Sequence, residues 1–181
     1  MLELIKKYQK AFSVSGYEGD LASTIYSDIK DKADSVEIDA LGNVIAFCKG
    51  KDSSKKLMIA AHMDEIGFMV TNIEENGMLR VAPIGGINPV ASCYHEVRFV
   101  DGTCGLLVVE DGTKLSEVAN NKLFVDIGAD KASKAKRKVS VGDVCAVTPY
   151  FKKLSGKRYA SKGFDDRICC AVSAHTALKC K

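Results

Sequence analysis

Apolar side chains recur every three or four positions in the first part of the chain, over residues 2–12 and again from Gly16 to about Ile29. Apolar positions at this spacing share one face of an α-helix, so two amphipathic helices are predicted. Residues 36–39 and 44–47 flank the turn sequence Leu41-Gly42-Asn43, which predicts a short β-hairpin.

An apolar run at residues 57–61 leads into the most informative stretch, His62-Met63-Asp64-Glu65-Ile66-Gly67. The length and composition of the run predict a β-strand that is buried on both faces. Side chains two residues apart in an extended segment point the same way, so His62 and Asp64 are expected to lie together. A carboxylate beside a histidine accepts one ring N–H and directs the other nitrogen towards a metal ion. Taken alone, a His-x-Asp pattern is more typical of a surface turn with a structural hydrogen bond.

The middle of the chain carries six short strand candidates separated by Gly, Asn and Asp turns, at residues 68–73, 79–84, 96–100, 105–110, 123–127 and 144–147. Many short strands of this kind predict a small barrel or sandwich instead of βαβ units. A helix-like run at residues 168–178 then restores the character of the beginning. The chain is therefore predicted to form an α/β domain from residues 1–66 and 159–181, interrupted by an inserted β domain at residues 67–158.

A second acidic cluster, Phe164-Asp165-Asp166-Arg167, precedes this last helix. Aspartates at a helix start act as N-caps and interact favourably with the helix dipole, so capping is one explanation. A shared metal site with His62 and Asp64 is the other.

Charge and hydropathy exclude some partners. The chain has 26 basic and 23 acidic side chains, and its formal net charge of +3 is too small to indicate a nucleic acid or an anionic membrane as partner. The densest basic run, at residues 131–138, is interpreted as a solvated helix face or loop. No apolar run approaches the ~20 residues of a membrane span, and the amino terminus lacks the apolar region of a signal peptide. No nucleic acid and no membrane are expected as partners.

The seven cysteines include no Cys-x-x-Cys pair, their number is odd, and several lie within apolar runs. This usage predicts free thiols in a reducing compartment, and hence a cytoplasmic protein. None of the cysteines has a convincing neighbouring base in the sequence, so no cysteine nucleophile is predicted.

The segment His62-Met63-Asp64-Glu65-Ile66-Gly67, followed much later by Phe164-Asp165-Asp166-Arg167, closely resembles the dinuclear-metal aminopeptidases of the glutamyl-aminopeptidase and tetrahedral (TET) aminopeptidase family. Some members of that family carry cellulase or endoglucanase names. These two motifs are specific, and shorter similarities support them in the family's order at residues 13–18, 39–43, 126–129 and 142–143. The resemblance covers the whole chain.

The resemblance implies a zinc-aminopeptidase-like catalytic domain interrupted by a β-barrel dimerisation domain, in a homo-oligomer whose dimers assemble further into hollow complexes. It implies a metal-dependent aminopeptidase that releases N-terminal amino acids from peptides with two divalent metal ions, zinc or cobalt. His62 would be a terminal ligand of one metal, and Asp165 would be the carboxylate that bridges both. Asp64 would be the catalytic-site carboxylate that orients His62.

The remaining polar residues of the two motifs have lesser roles in this interpretation. Glu65 and Asp166 have weaker claims as ligands, and Arg167 is expected to pair with a nearby carboxylate. His95 and His175 match no ligand position and are predicted to be structural.

In the resembling family a Glu-Glu pair, a further aspartate and a final histidine follow the Asp-Asp-Arg helix, and one glutamate of the pair is the general base. His62 and Asp165 are thus two of five implied ligands, and the chain is interpreted as the amino-terminal half of such an enzyme, without the general base. Two other functions stay open. One is a non-catalytic assembly or regulatory module built around the β insert; the other is endoglucanase-type hydrolysis, which needs two carboxylates ~5–9 Å apart.

Overall fold

The chain forms two units in the computed structural model, which describes residues 1–180. Unit 1 comprises Met1–Glu65 and Pro149–Lys181, and unit 2 comprises Ile66–Thr148. Residues 149–158, which the sequence analysis places in the insert, therefore cluster with unit 1. The assignment of the units to a catalytic and a dimerisation domain stays a prediction.

Within residues 1–180, five helices and ten strands make up the two units. Helices α1–α5 are Leu2–Lys10, Gly19–Ile29, Pro89–Ser92, Ala132–Ala135 and Phe164–Ala177. Strands β1–β10 are Ser35–Ile38, Val44–Phe47, Gly67–Ile73, Leu79–Ile84, Glu96–Phe99, Cys104–Val109, Leu123–Asp126, Val144–Val147, Phe151–Lys153 and Tyr159–Ser161. Two 3-10 turns cover Leu115–Glu117 and Asn120–Lys122.

The core of unit 1 lies between α1, α2 and α5. Tyr8 and the predicted α2 stripe of Leu21, Ile25 and Ile29 pack against a face of α5 that consists mainly of alanine, with Cys170. Small side chains let helix axes approach closely. This packing holds α5, and with it the acidic motif at its start, against the first part of the chain.

The predicted buried strand at residues 57–61 is wrong. The segment has no strand structure, and the side chains of Leu57 and Met58 are 90% and 87% exposed. A strand requires a hydrogen-bonded neighbour, but β1 and β2 pair only with each other, as do β9 and β10. Among the described residues, no strand is available to pair with this segment, so its apolar composition alone does not produce one.

Unit 2 is a closed six-stranded barrel with the strand order β3-β4-β7-β6-β5-β8. All six predicted strands are present within a residue or two of their expected bounds. The predicted choice between barrel and sandwich is settled by β8, which pairs antiparallel with both β3 and β5 and so leaves no free edge. Gly105 permits close packing within the wall, because a Cβ atom there would lie 2.6 Å from Cγ1 of Val125.

The barrel interior is filled by buried side chains from all six strands, and these alternate with less buried ones most clearly in β4 and β5. Phe68, Val97, Phe99 and Leu107 are among those almost completely excluded from solvent. The short α4 lies within the basic run and buries only Ala135, while the basic side chains face outwards, as the sequence predicts. None of the helices described in residues 1–180 is long and apolar enough to cross a membrane.

None of the seven cysteines forms a disulfide bond within residues 1–180. Burial raises the pKa of the Cys145 thiol to about 12 and that of Cys170 to about 11, with the charge of Asp166 adding to the effect at Cys170. Both thiols are therefore protonated near neutral pH.

Candidate metal site

Unit 1 brings His62 and Asp165 together although they are 103 residues apart in sequence. The Nε2 atom of His62 lies 3.2 Å from Oδ1 of Asp165, and its Nδ1 atom lies 2.9 Å from Oδ1 of Asp64. The predicted local pair of His62 and Asp64 and the predicted approach of the second acidic motif are both present. The roles of these three residues as ligands and orienting group stay predictions.

Asp64 is held from its other side by Ser15, whose hydroxyl donates a hydrogen bond to Oδ2. This hydrogen bond, assisted by His62, lowers the pKa of Asp64 even though partial burial acts in the opposite direction. An ionised Asp64 accepts the Nδ1 proton of His62, which assigns that tautomer to the neutral ring. The Nε2 lone pair then faces Asp165.

Burial lowers the pKa of His62, but the hydrogen bonds and negative charges of Asp64 and Asp165 outweigh it, so the pKa lies above its ordinary value. The His62 side chain is 56% exposed. Protons therefore compete with any cation for Nε2.

Asp165 lies at the start of α5, where the backbone has not yet become helical. Its φ and ψ are −88° and 106°, those of Asp166 are −122° and 31°, and the peptide bond between them is cis. The regular helical backbone therefore begins after Asp166, and capping of the helix by Asp166 stays a prediction. The side chain of Asp165 is 95% exposed and contacts His62.

A buried ion cluster lies beside this site. Oε1 of Glu65 accepts hydrogen bonds from Nη2 of Arg167 and Nζ of Lys162, both at 2.8 Å. The expected pairing of Arg167 with a carboxylate is confirmed, and its partner is Glu65. The burial of this pair is not predictable from the sequence, where the only signal is that one motif contains Glu65 and the other contains Arg167.

The other two histidines lie elsewhere. Nδ1 of His95, in unit 2, is 3.3 Å from the carbonyl oxygens of Ser92 and Cys93, which is a structural contact. His175 lies on α5, ten residues beyond Asp165. Within residues 1–180, no group of three or more His, Cys, Asp or Glu side chains is arranged to hold a metal ion. The donor set that does converge, one imidazole nitrogen and one carboxylate, matches two ligands of a zinc or cobalt site.

The sequence model of the M42 glutamyl aminopeptidase family matches residues 42–181. The chain belongs to this family of enzymes. The lysyl aminopeptidase of Pyrococcus furiosus is 38% identical over 182 residues, a match that covers 92% of this chain and 51% of the relative. The chain thus spans about half the length of the curated relatives it matches.

Solved structures of M42-like proteins have the same fold. An aminopeptidase of the archaeon Desulfurococcus kamchatkensis superposes with a TM-score of 0.89 at 34% identity, covering 98% of this chain and 51% of that one. The TET1 peptidase of Pyrococcus horikoshii, which can assemble into a tetrahedron or a large octahedral shell, gives 0.87 at 29% identity over 98% and 56%. A Thermotoga maritima protein described as an endoglucanase gives 0.86 at 34% identity over 97% and 54%.

Proposed function

We propose that this chain supplies His62 and Asp165 as metal ligands of an M42 aminopeptidase that releases N-terminal amino acids from peptides. The observation that carries the proposal is the position of His62, whose Nδ1 atom is held by Asp64 while Nε2 faces Asp165 at 3.2 Å. Family membership and the relatives named aminopeptidases support the reaction class.

The donor chemistry fits zinc or cobalt. A neutral imidazole nitrogen and a carboxylate are ordinary ligands of either ion. The hydrogen bond from Nδ1 of His62 to Asp64 increases the basicity of the other ring nitrogen. Only Oδ1 of Asp165 contacts His62, so its other oxygen remains for a second ion, as the bridging role requires. Two such ions, when bound, activate water and stabilise the oxyanion of peptide hydrolysis.

The chain's own residues contribute binding and orientation in this proposal. Asp64 keeps a proton on Nδ1 of His62, and Ser15 keeps Asp64 ionised and in place. Catalytic zinc sites normally have three protein ligands. We propose that the further ligands and the general base come from polypeptide that corresponds to the part of the relatives that this chain does not span.

The assembly of the protein is also a proposal. The barrel of unit 2 would act as a dimerisation domain, and the TET1 peptidase that resembles this chain assembles into closed shells. We propose a homo-oligomer formed through unit 2 and, since the cysteines of residues 1–180 form no disulfide bond, a cytoplasmic location.

Zinc titration of the metal-free protein, followed through the ring nitrogens by NMR, tests the ligand assignment. The chain has three histidines, so each serves as an internal reference for the others. We expect zinc to shift the Nε2 signal of His62 and to leave His95 and His175 unchanged, and Asp165→Asn to weaken the effect. In a full-length enzyme containing this chain, His62→Ala should abolish metal-dependent release of N-terminal residues, whereas His95→Ala should not. Wild-type turnover by the His62→Ala variant would refute the assignment of His62 as a metal ligand.

Glycoside hydrolysis is the second candidate, because one similar structure is described as an endoglucanase. It requires an acid and a nucleophile or base from two carboxylates. Both oxygens of Asp64 are already engaged, by His62 and Ser15, which does not suit that role. Hydrolysis of cellulose oligomers that survives a strong chelator would favour this alternative. A chain that never binds metal at His62 would instead favour the non-catalytic assembly module.

A further inference from the structure

The ion pair between Glu65 and Arg167 joins the two segments that carry the candidate ligands. Glu65 follows His62 by three residues, and Arg167 follows Asp165 by two. Oε1 of Glu65 lies 2.8 Å from Nη2 of Arg167, and both side chains are almost completely buried. Each partner of the ion pair therefore lies within three residues of a candidate ligand in the sequence.

Arg167 also binds a third segment. Its Nη1 atom donates hydrogen bonds of 2.8 Å to the carbonyl oxygens of Tyr8 and Ala11, at the end of α1. Carbonyl groups at a helix end have no partner within the helix and attract positive charge. The planar guanidinium group therefore links α1, the segment around Glu65 and the start of α5 with a fixed geometry.

Few other interactions of Asp165 fix its position. Its side chain is 95% exposed, and His62 is its hydrogen-bond partner. The backbone of Asp165 and Asp166 is not helical, so the regular hydrogen bonds of α5 do not position it. The nearest fully buried side chain in the sequence is Arg167, and moving it would leave a buried charge without its partner.

We propose that Glu65 and Arg167 are positioning residues that keep the His62 segment and the Asp165 segment together, so that Nε2 of His62 faces Oδ1 of Asp165. The inference rests on the proposed function only in the claim that His62 and Asp165 bind metal. Glu65 and Arg167 would bind neither metal nor peptide. Their role would be to maintain the short distance between His62 and Asp165.

Two conservative substitutions test the ion pair. Glu65→Gln keeps the shape of the side chain and removes its charge, and Arg167→Lys keeps the charge and removes the guanidinium fork. Lys162→Met is the matched control, because it removes the other cation on Glu65 but leaves the pair with Arg167 intact. Ile29→Val, in the core of unit 1, controls for a general loss of stability.

The first readout is hydrogen exchange of the metal-free chain, measured by mass spectrometry. We expect Glu65→Gln and Arg167→Lys to raise exchange at least tenfold in both residues 61–65 and residues 164–168, with α2 unchanged. The second readout is the zinc concentration that shifts the His62 ring signals, which should rise at least tenfold in the same two variants. Lys162→Met and Ile29→Val should resemble the wild type in both measurements.

Unchanged exchange in the two segments, or equal increases in α2 and in Ile29→Val, would overturn the positioning role. If Glu65→Gln does not fold, Arg167→Lys decides the question with the same criteria. A wild-type chain whose His62 signals ignore zinc would refute the proposed metal site, while the exchange data would still decide whether the ion pair holds the two segments together.

Discussion

Replacement of Gly163 by alanine should destabilise unit 1 for two reasons, its backbone conformation and the crowding of its surroundings. Gly163 has φ of +62°, a left-handed conformation that costs an L-residue roughly 1–2 kcal/mol. Alanine recovers about 0.4–1 kcal/mol by restricting the unfolded chain. The conformational part of the loss is thus about 1 kcal/mol.

Crowding adds a second contribution at this position. A Cβ atom on residue 163 would lie 3.1 Å from Oε2 of Glu65 and 3.6 Å from Oε1 of Gln9. The Glu65 carboxylate cannot move aside without loosening its contacts with Lys162 and Arg167. Overpacking of this kind costs about 1–3 kcal/mol, so the total loss for Gly163→Ala should be about 2–4 kcal/mol.

Gly156 offers a matched control in the same unit. Its φ is +65°, yet a Cβ atom there would meet nothing within 4 Å. Gly156→Ala should therefore show the conformational cost alone, about 1 kcal/mol. Hydrogen exchange of α2 amides reports the stability of unit 1 for both variants. Equal losses in the two variants would show that residue 163 does not crowd Glu65, and would refute the geometry on which the larger value depends.

Two further predictions concern the barrel and the ionisation of Asp64. Leu107→Ala should destabilise unit 2 by about 2–5 kcal/mol, since Leu107 is fully buried. Residues 66–148 expressed alone should unfold in one cooperative transition, followed by circular dichroism. A gradual transition would contradict the prediction that these residues fold independently. The pKa of Asp64 is lowered in the folded state chiefly by Ser15, so its contribution to stability is present above the unfolded pKa of about 3.9 and is lost as pH falls through the folded pKa. Ser15→Ala should raise this pKa in an NMR titration and move the loss to higher pH, and an unchanged pKa would argue against the contact.

The barrel shows how much of the fold a local pattern can predict. Its strands are short apolar segments between glycine-containing turns, and β4 and β5 alternate buried and less buried residues. Each strand is recognisable without knowledge of its neighbours. Closure is different, because it depends on β8 pairing with strands that are distant in sequence. A sandwich would satisfy the same alternation, so only the tertiary structure distinguishes the two.

The segment at residues 57–61 shows the converse. Its apolar composition predicts a buried strand, yet the side chains of Leu57 and Met58 are exposed and no strand forms. Strand formation requires a partner, and the availability of a partner is not a property of the segment itself.

The candidate site divides in the same way. The contact between His62 and Asp64 follows from their spacing, because residues two apart in an extended segment lie on one side. The approach of Asp165 to His62, and the burial of Arg167 against Glu65, depend on how α5 packs against the first part of unit 1. Sequence alone therefore determined the local elements and the two motifs, since these depend on neighbouring residues. The tertiary structure decided which distant side chains meet, because that depends on the packing of whole helices around a shared core.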